Sequence, residues 1–210
     1  MAQQNREYQH PFIIRFTHWV NFVALAIMVT SGFRIYNASP IWDFRIPADL
    51  TLGGWLAGAR MWHFLGMWLF FLNGAVWVLY NFLSRHGRST TLFRASDAGG
   101  MLPMIKYYLR IRKDHPPVKK YNALQKLTYT LIPLLGLASI LSGMSIYWPV
   151  QFSSITALFG GYDTARAWHF IFTASFVIFF FGHIFLVMIS GWSNFVSMLT
   201  GWKKVAVGKD

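Results

Sequence analysis

Four separate stretches of this chain, about 12–36, 57–83, 124–148 and 165–190, stay apolar for more than 20 residues each. A helix of about 20 such residues crosses the roughly 30 Å hydrocarbon layer of a bilayer. The expectation is therefore an all-α integral membrane four-helix bundle, a single domain over residues 1–210. Composition agrees, because 55% hydrophobic, 19% aromatic and only 12% charged residues make the chain too apolar for an ordinary soluble domain. The first stretch exceeds a signal-peptide apolar core of about 7 to 15 residues, and no small-residue cleavage site follows it, so it is expected to stay in the mature protein.

Orientation follows from the connections. Between Ser84 and Ala123 nine Lys or Arg stand against Asp97 and Asp114, and Lys203, Lys204 and Lys209 lie near the C-terminus. The connections 37–56 and 149–164 hold only Arg45 against three Asp. Positive charge collects on the cytoplasmic side, which puts both termini and the long basic loop between helices 2 and 3 in the cytoplasm. The net charge of +12 is thus a mark of topology rather than of nucleic-acid binding. Trp42, Trp55, Trp62, Trp148, Trp168 and Trp202 fall near span ends, where aromatic side chains anchor a protein to the interface. Within the basic loop, Met104 to Lys113 is weakly helical and reads as a solvated connector more readily than as an interfacial helix.

The chemistry concentrates on histidine. The pattern Ala-Arg-x-Trp-His-Phe occurs twice, at Ala59 to Phe64 and Ala165 to Phe170, and Arg15 and His18 repeat its Arg-x-x-His spacing in the first span. His183 lies near the far end of the last span. Ionisable groups inside hydrocarbon are costly, by about 2.5 to 3.5 kcal/mol for charged types, so four of them need a reason, and metal ligation by the neutral ring is the most economical. With no cysteine, disulfides, iron–sulfur ligation and thioether-attached haem are excluded. The seven carboxylates lie outside the apolar runs, and His10, His86 and His115 lie in polar sequence and receive no role.

Depth sorts the four into couples. His18 lies about 9 Å from the cytoplasmic end of an outward-running span, while His63 and His169 open inward-running spans near the outer surface. His183 follows His169 by 14 residues, roughly 21 Å along the axis and nearly on the same face. Two levels result: His63 with His169 outside, His18 with His183 inside. One zinc cannot gather ligands spread over roughly 21 Å. Two ligands at each level suit a cofactor that brings four equatorial nitrogens and takes two axial ones, namely six-coordinate haem b, twice. Arg15, Arg60 and Arg166 each precede a histidine by three residues, on the same face and closer to water, where they could pair with haem propionates. Gly32, Gly66, Gly136, Gly143 and Gly182 could admit a flat macrocycle, although small residues in membrane helices more often serve packing. The competing reading has the histidines hydrogen-bonding across helices and the arginines snorkelling.

Arg15-Phe16-Thr17-His18-Trp19, the two Arg-x-Trp-His-Phe sites, Gly182-His183 and Lys120-Tyr121-Asn122-Ala123-Leu124-Gln125-Lys126 together resemble the dihaem cytochrome b subunits. These are the formate dehydrogenase gamma subunits, the b-type cytochromes of nickel–iron hydrogenases and the thiosulfate-reductase-like cytochromes b. The similarity runs from His10 to about Trp202. It implies two haem b groups, inner ligands His18 and His183, outer ligands His63 and His169, and electron transfer between the membrane quinone pool and a periplasmic catalytic oxidoreductase subunit of molybdopterin or hydrogenase class. Asn122 resembles a quinone-contacting Asn, and Asn122 and Gln125 at the start of span three could hydrogen-bond a quinone carbonyl; Asn122 equally suits a helix N-cap. The alternative is a free-standing cytochrome b quinol oxidase that passes electrons to a soluble acceptor such as superoxide, for which the slightly acidic outer loops are unfavourable. A haem-free anchor or transporter is the third reading.

Overall fold

The computed structural model describes residues 5–84, 92–117, 121–189 and 191–205. His86, Lys120 and Lys209, which entered the reading above, lie outside them. In chain order the elements are β1 (Asn5–Tyr8), α1 (Phe12–Ala38), α2 (Leu56–Leu83), α3 (Met101–Tyr108), α4 (Ala123–Tyr147), α5 (Ser153–Leu158), α6 (Tyr162–Ile189), α7 (Trp192–Thr200) and β2 (Trp202–Val205), with 3-10 turns at Ala48–Leu50 and Ala95–Gly100. The helices α1, α2, α4 and α6 are the four long and apolar enough to cross a membrane. Their side chains are largely exposed, as lipid contact requires: Ile178, Phe181, Phe185 and Met188 on α6 all face outward. The six tryptophans expected at the interface are all exposed too. The α6 helix begins three residues before the sequence boundary, just after Gly160 and Gly161, whose positive φ angles end the preceding turn.

The chain divides into two compact units, Met1–Trp77 with Phe170–Asp210, and Val78–His169. In the first, α1 and α2 approach closely at Gly66, where a Cβ would come within 2.7 Å of Met28 Cγ and 3.1 Å of Ile27 Cγ2. Further along α2, the buried Asn73 donates through Nδ2 to the Thr17 carbonyl at 2.8 Å and to Asn21 Oδ1 at 2.7 Å. In the last turn of α1, Tyr36 donates its hydroxyl to the Trp42 and Phe44 carbonyls, and the Asn37 side chain exchanges two hydrogen bonds with the Ile46 backbone. Phe170 packs on the resulting aromatic cluster, its ring 4.8 Å from that of Tyr36.

Two features of this unit were absent from the sequence expectation. The short helix α7 is bounded by Gly191 and Gly201, both at positive φ. Its C-terminal carbonyls, which lack partners within the helix, accept from Arg15 Nη1 (Leu199 O, 2.6 Å) and Trp19 Nε1 (Met198 O, 3.3 Å). Then β2 pairs antiparallel with β1, placing Glu7 opposite Lys203 and Tyr8 opposite Trp202. The Tyr8 and Trp202 rings meet edge to face at 5.1 Å.

In the second unit, Asn122 caps α4: its side chain accepts from the Gln125 N–H, while Gln125 Oε1 accepts from the Asn122 N–H. Asn122 Nδ2 also donates to Tyr108 Oη at 3.1 Å, tying α3 to the start of α4. Lys126 pairs with Asp97 at 2.7 Å. The connector reading of Met104 to Lys113 needs correcting, since the helix there runs from Met101 to Tyr108 and Met104 is fully buried. It stops where Arg110 adopts a left-handed backbone, with φ 58°.

Candidate functional site

His18 on α1 and His183 on α6 face one another within the first unit, their ring centres 5.9 Å apart and their planes tilted by 58°. Trp19 packs its edge against His18 at 5.3 Å, and Phe179 stacks on His183 at 5.8 Å. A nitrogen bound to a metal sits about 2 Å from it, and the imidazole centre lies about an ångström further back, so two rings on one metal have centres about 6 Å apart. The observed gap fits. Among the described residues no group of three or more His, Asp or Glu converges. The couple therefore offers two side-chain donors, the number that haem takes from a protein at its axial positions.

His63 on α2 lies with Nδ1 3.1 Å from Ser31 Oγ and 3.1 Å from the Met28 carbonyl. A carbonyl only accepts, so Nδ1 carries the proton. Ser31 spends its own proton on the Ile27 carbonyl at 2.6 Å, which leaves Oγ as an acceptor. The lone pair of the His63 ring is consequently on Nε2. His169, in the second unit, repeats the serine contact: Nδ1 is 3.0 Å from Ser142 Oγ, and Ser142 donates to the Ser139 carbonyl at 3.1 Å. The residue after each serine is a glycine. A Cβ on Gly32 would lie 3.4 Å from His63 Cε1, and one on Gly143 would lie 3.3 Å from His169 Cε1. Each ring edge thus lies against the glycine, where an added Cβ would be in contact with it.

The repetition extends further. Gly53-Gly54 precedes one Ala-Arg-x-Trp-His-Phe copy and Gly160-Gly161 the other, all four glycines at positive φ, and the leading Ala59 and Ala165 are both fully buried. Sequence reasoning found the histidines but missed Ser31 and Ser142, although the signal was available as Ser-Gly at 31–32 and 142–143, in the span preceding each motif copy. It also missed Asn73 and its hydrogen bond to the Thr17 carbonyl.

The other expected site residues fall as follows. Arg15 bonds the Leu199 carbonyl and lies over the Phe12 ring at 5.7 Å. Arg166 lies 3.6 Å from Asp163 and over the Tyr162 ring, while Arg60 is exposed. Asn122 and Gln125 are joined in the capping box, with Asn122 buried. Of the glycines considered for a macrocycle, Gly66 serves helix packing and Gly182 faces open space.

Four helices long and apolar enough to cross a membrane mark a multi-pass helical protein of the bacterial inner membrane. More particularly, the chain belongs to the prokaryotic cytochrome b561 family, whose model matches residues 9–201. Membership implies b-type haem and supports transmembrane electron transfer. The chain is 39% identical over 178 residues, 85% of its length and 89% of the relative's, to a putative protein-methionine-sulfoxide reductase subunit, YedZ1, of Azospira oryzae. No solved structure matches it.

Proposed function

We propose that the chain carries electrons across the membrane through two haem b groups, between quinone and a periplasmic catalytic subunit. His18 and His183 hold the inner haem; His63 and His169 hold the outer one. The observation that carries the reading is the 5.9 Å facing of His18 and His183. The like hydrogen bonding of His63 and His169 supports assigning those two a common role. When bound, haem supplies reversible one-electron chemistry, and the protein supplies position, axial nitrogens and charge. Both termini and the basic loop lie in the cytoplasm, on the charge asymmetry of the connections.

Arg60 and Arg166 pair with propionates at the outer level, and Arg15 contributes its remaining donors at the inner one. Such cations favour the reduced state and raise the potential. At the cytoplasmic end Asn122 and Gln125 contact the quinone; Gln125 is the better placed to donate, because the capping box uses its oxygen and backbone N–H but not its amide nitrogen.

The relative's designation points to a partner that reduces methionine sulfoxide in proteins. That reaction takes two electrons and two protons to convert the sulfoxide to thioether and water. A quinol oxidised at the inner level supplies two electrons and releases two protons, so flow runs outward. The designation of the relative as a subunit also favours a complex over a free-standing oxidase.

A pyridine haemochrome assay on the purified chain is expected to give two haems per polypeptide, and His63→Ala or His169→Ala to leave one, both variants losing the same component of the native absorption spectrum. Loss of both haems or of neither would overturn the pairing, and a colourless protein the whole reading.

A further inference from the structure

We infer that Ser31 and Ser142 are positioning residues that fix the tautomer and aim of the two outer iron ligands, a role resting on the haem assignment above. The argument begins with the serines themselves. Both are fully buried inside apolar helices, where a hydroxyl has no water to satisfy it. Each turns its proton back to a carbonyl of its own helix, Ile27 or Ser139. This is the usual resort of a serine in a helix interior. What remains at each Oγ is acceptor capacity, and in each case the group within hydrogen-bond distance is an imidazole Nδ1.

A neutral histidine has one protonated and one bare ring nitrogen, and the partner of the first decides the identity of the second. At His63 the Ser31 Oγ shares Nδ1–H with the Met28 carbonyl, and at His169 the Ser142 Oγ meets Nδ1, so that with Nδ1 protonated the lone pair falls on Nε2, the nitrogen furthest from the backbone. The following glycine acts with it: Gly32 and Gly143 let the Nδ1–Cε1 edge settle against the helix that carries the serine. Hydroxyl and glycine together specify both ring rotation and tautomer. That the same two-residue device meets the same ring edge in two separate helix pairs argues against incidental contact.

The chemical consequence lies in ligand strength. A hydrogen bond accepted from Nδ1–H makes the imidazole a stronger donor and favours the more highly charged ferric iron. Ser31→Ala and Ser142→Ala in the full-length protein are expected to raise the midpoint potential of one haem, shift its low-spin EPR signal, and weaken retention of that haem by about 10- to 100-fold against a haem acceptor. The other haem stays as in the wild type. Ser142→Thr, which keeps the oxygen, is expected to return the potential toward the parent value. Potentiometric titration followed optically reads all three variants.

If both Ala variants bind two haems with unchanged potentials, the positioning role is wrong although the haem assignment stands. If Ser31→Ala moves one haem and Ser142→Ala the other, the positioning role is supported, while the pairing of His63 with His169 fails. A wild type without haem removes the assignment itself.

Discussion

The His18 and His183 rings, 165 residues apart in sequence, lie with centres 5.9 Å apart. If the couple holds the inner haem proposed above, α1 and α6 each supply one of its ligands, and neither histidine alone would retain it. His18→Ala and His183→Ala are each expected to lower the haem content from two per chain to one, and to remove the same spectral component. Low-temperature absorption difference spectra are expected to distinguish the two proposed haems. Loss of different components in the two variants would separate the couple.

Asn73 fixes α2 to α1 one residue before His18. Its amide nitrogen bonds the Thr17 carbonyl and the Asn21 side chain, in a setting where water is not at hand to replace it. Interhelical hydrogen bonds of this kind in membranes are worth about 0.6 to 1.7 kcal/mol. Asn73→Leu, similar in volume but without donors, is expected to destabilise the protein by about that amount in a denaturing-detergent titration. An unchanged unfolding midpoint would mean that the amide contributes nothing net.

The spans were legible because their signal is length and apolarity, which depend on no partner. The coupling of His18 with His183 was equally available, since 1.5 Å per residue converts position along a span into height. What the sequence withheld was azimuth. Whether Ser31 turns toward His63 or toward lipid depends on how α1 is rotated against α2, and a serine in an apolar run reads as helix packing. The pairing of Tyr8 with Trp202 was hidden for another reason: two four-residue strands carry almost no local pattern, and their partnership spans nearly the whole chain. Helix α7 is only nine residues long and follows the last span almost directly, so it merged with the tail. Asn122 was read both as a cap and as a quinone ligand, and the hydrogen bonds with Gln125 establish the cap.

Asp97 couples the connector to α4 in a pH-dependent way. The Lys126 ammonium at 2.7 Å, followed by the Arg94 backbone N–H at 2.9 Å, holds its carboxyl below the usual carboxylate range. A depressed folded-state pKa contributes stability that is present above the unfolded value, about 3.9, and is lost as pH falls through the folded one. Hydrogen exchange in 93–108 is therefore expected to be independent of pH, after correction for the intrinsic rate, from neutrality down to about 4. Protection then falls in more acid solution. Asp97→Asn is expected to show the lower protection throughout. Equal protection in the variant and the parent at pH 7 would show that the pair does not tether the connector.

Arg15 carries two expectations that a single substitution can separate. Its Nη1 bonds the Leu199 carbonyl at 2.6 Å, next to Trp19 on Met198, so the guanidinium closes the C-terminal end of α7. Gly201 sits against it, since a Cβ there would lie 3.3 Å from Arg15 Nε. A hydrogen bond from a charged donor is worth about 1.5 to 3 kcal/mol, and Arg15→Ala is expected to raise hydrogen exchange in 197–205 accordingly. Arg15→Lys keeps the charge but loses the planar fork that reaches both a carbonyl and a second acceptor. If Arg15 also serves a propionate, the Ala variant lowers the potential of the inner haem while the Lys variant largely preserves it. If its role is confined to α7, exchange rises in both variants and the potential stays where it was. Unchanged exchange in 197–205 in the Ala variant would contradict the clamp itself, because the Leu199 carbonyl would then need no partner from α1.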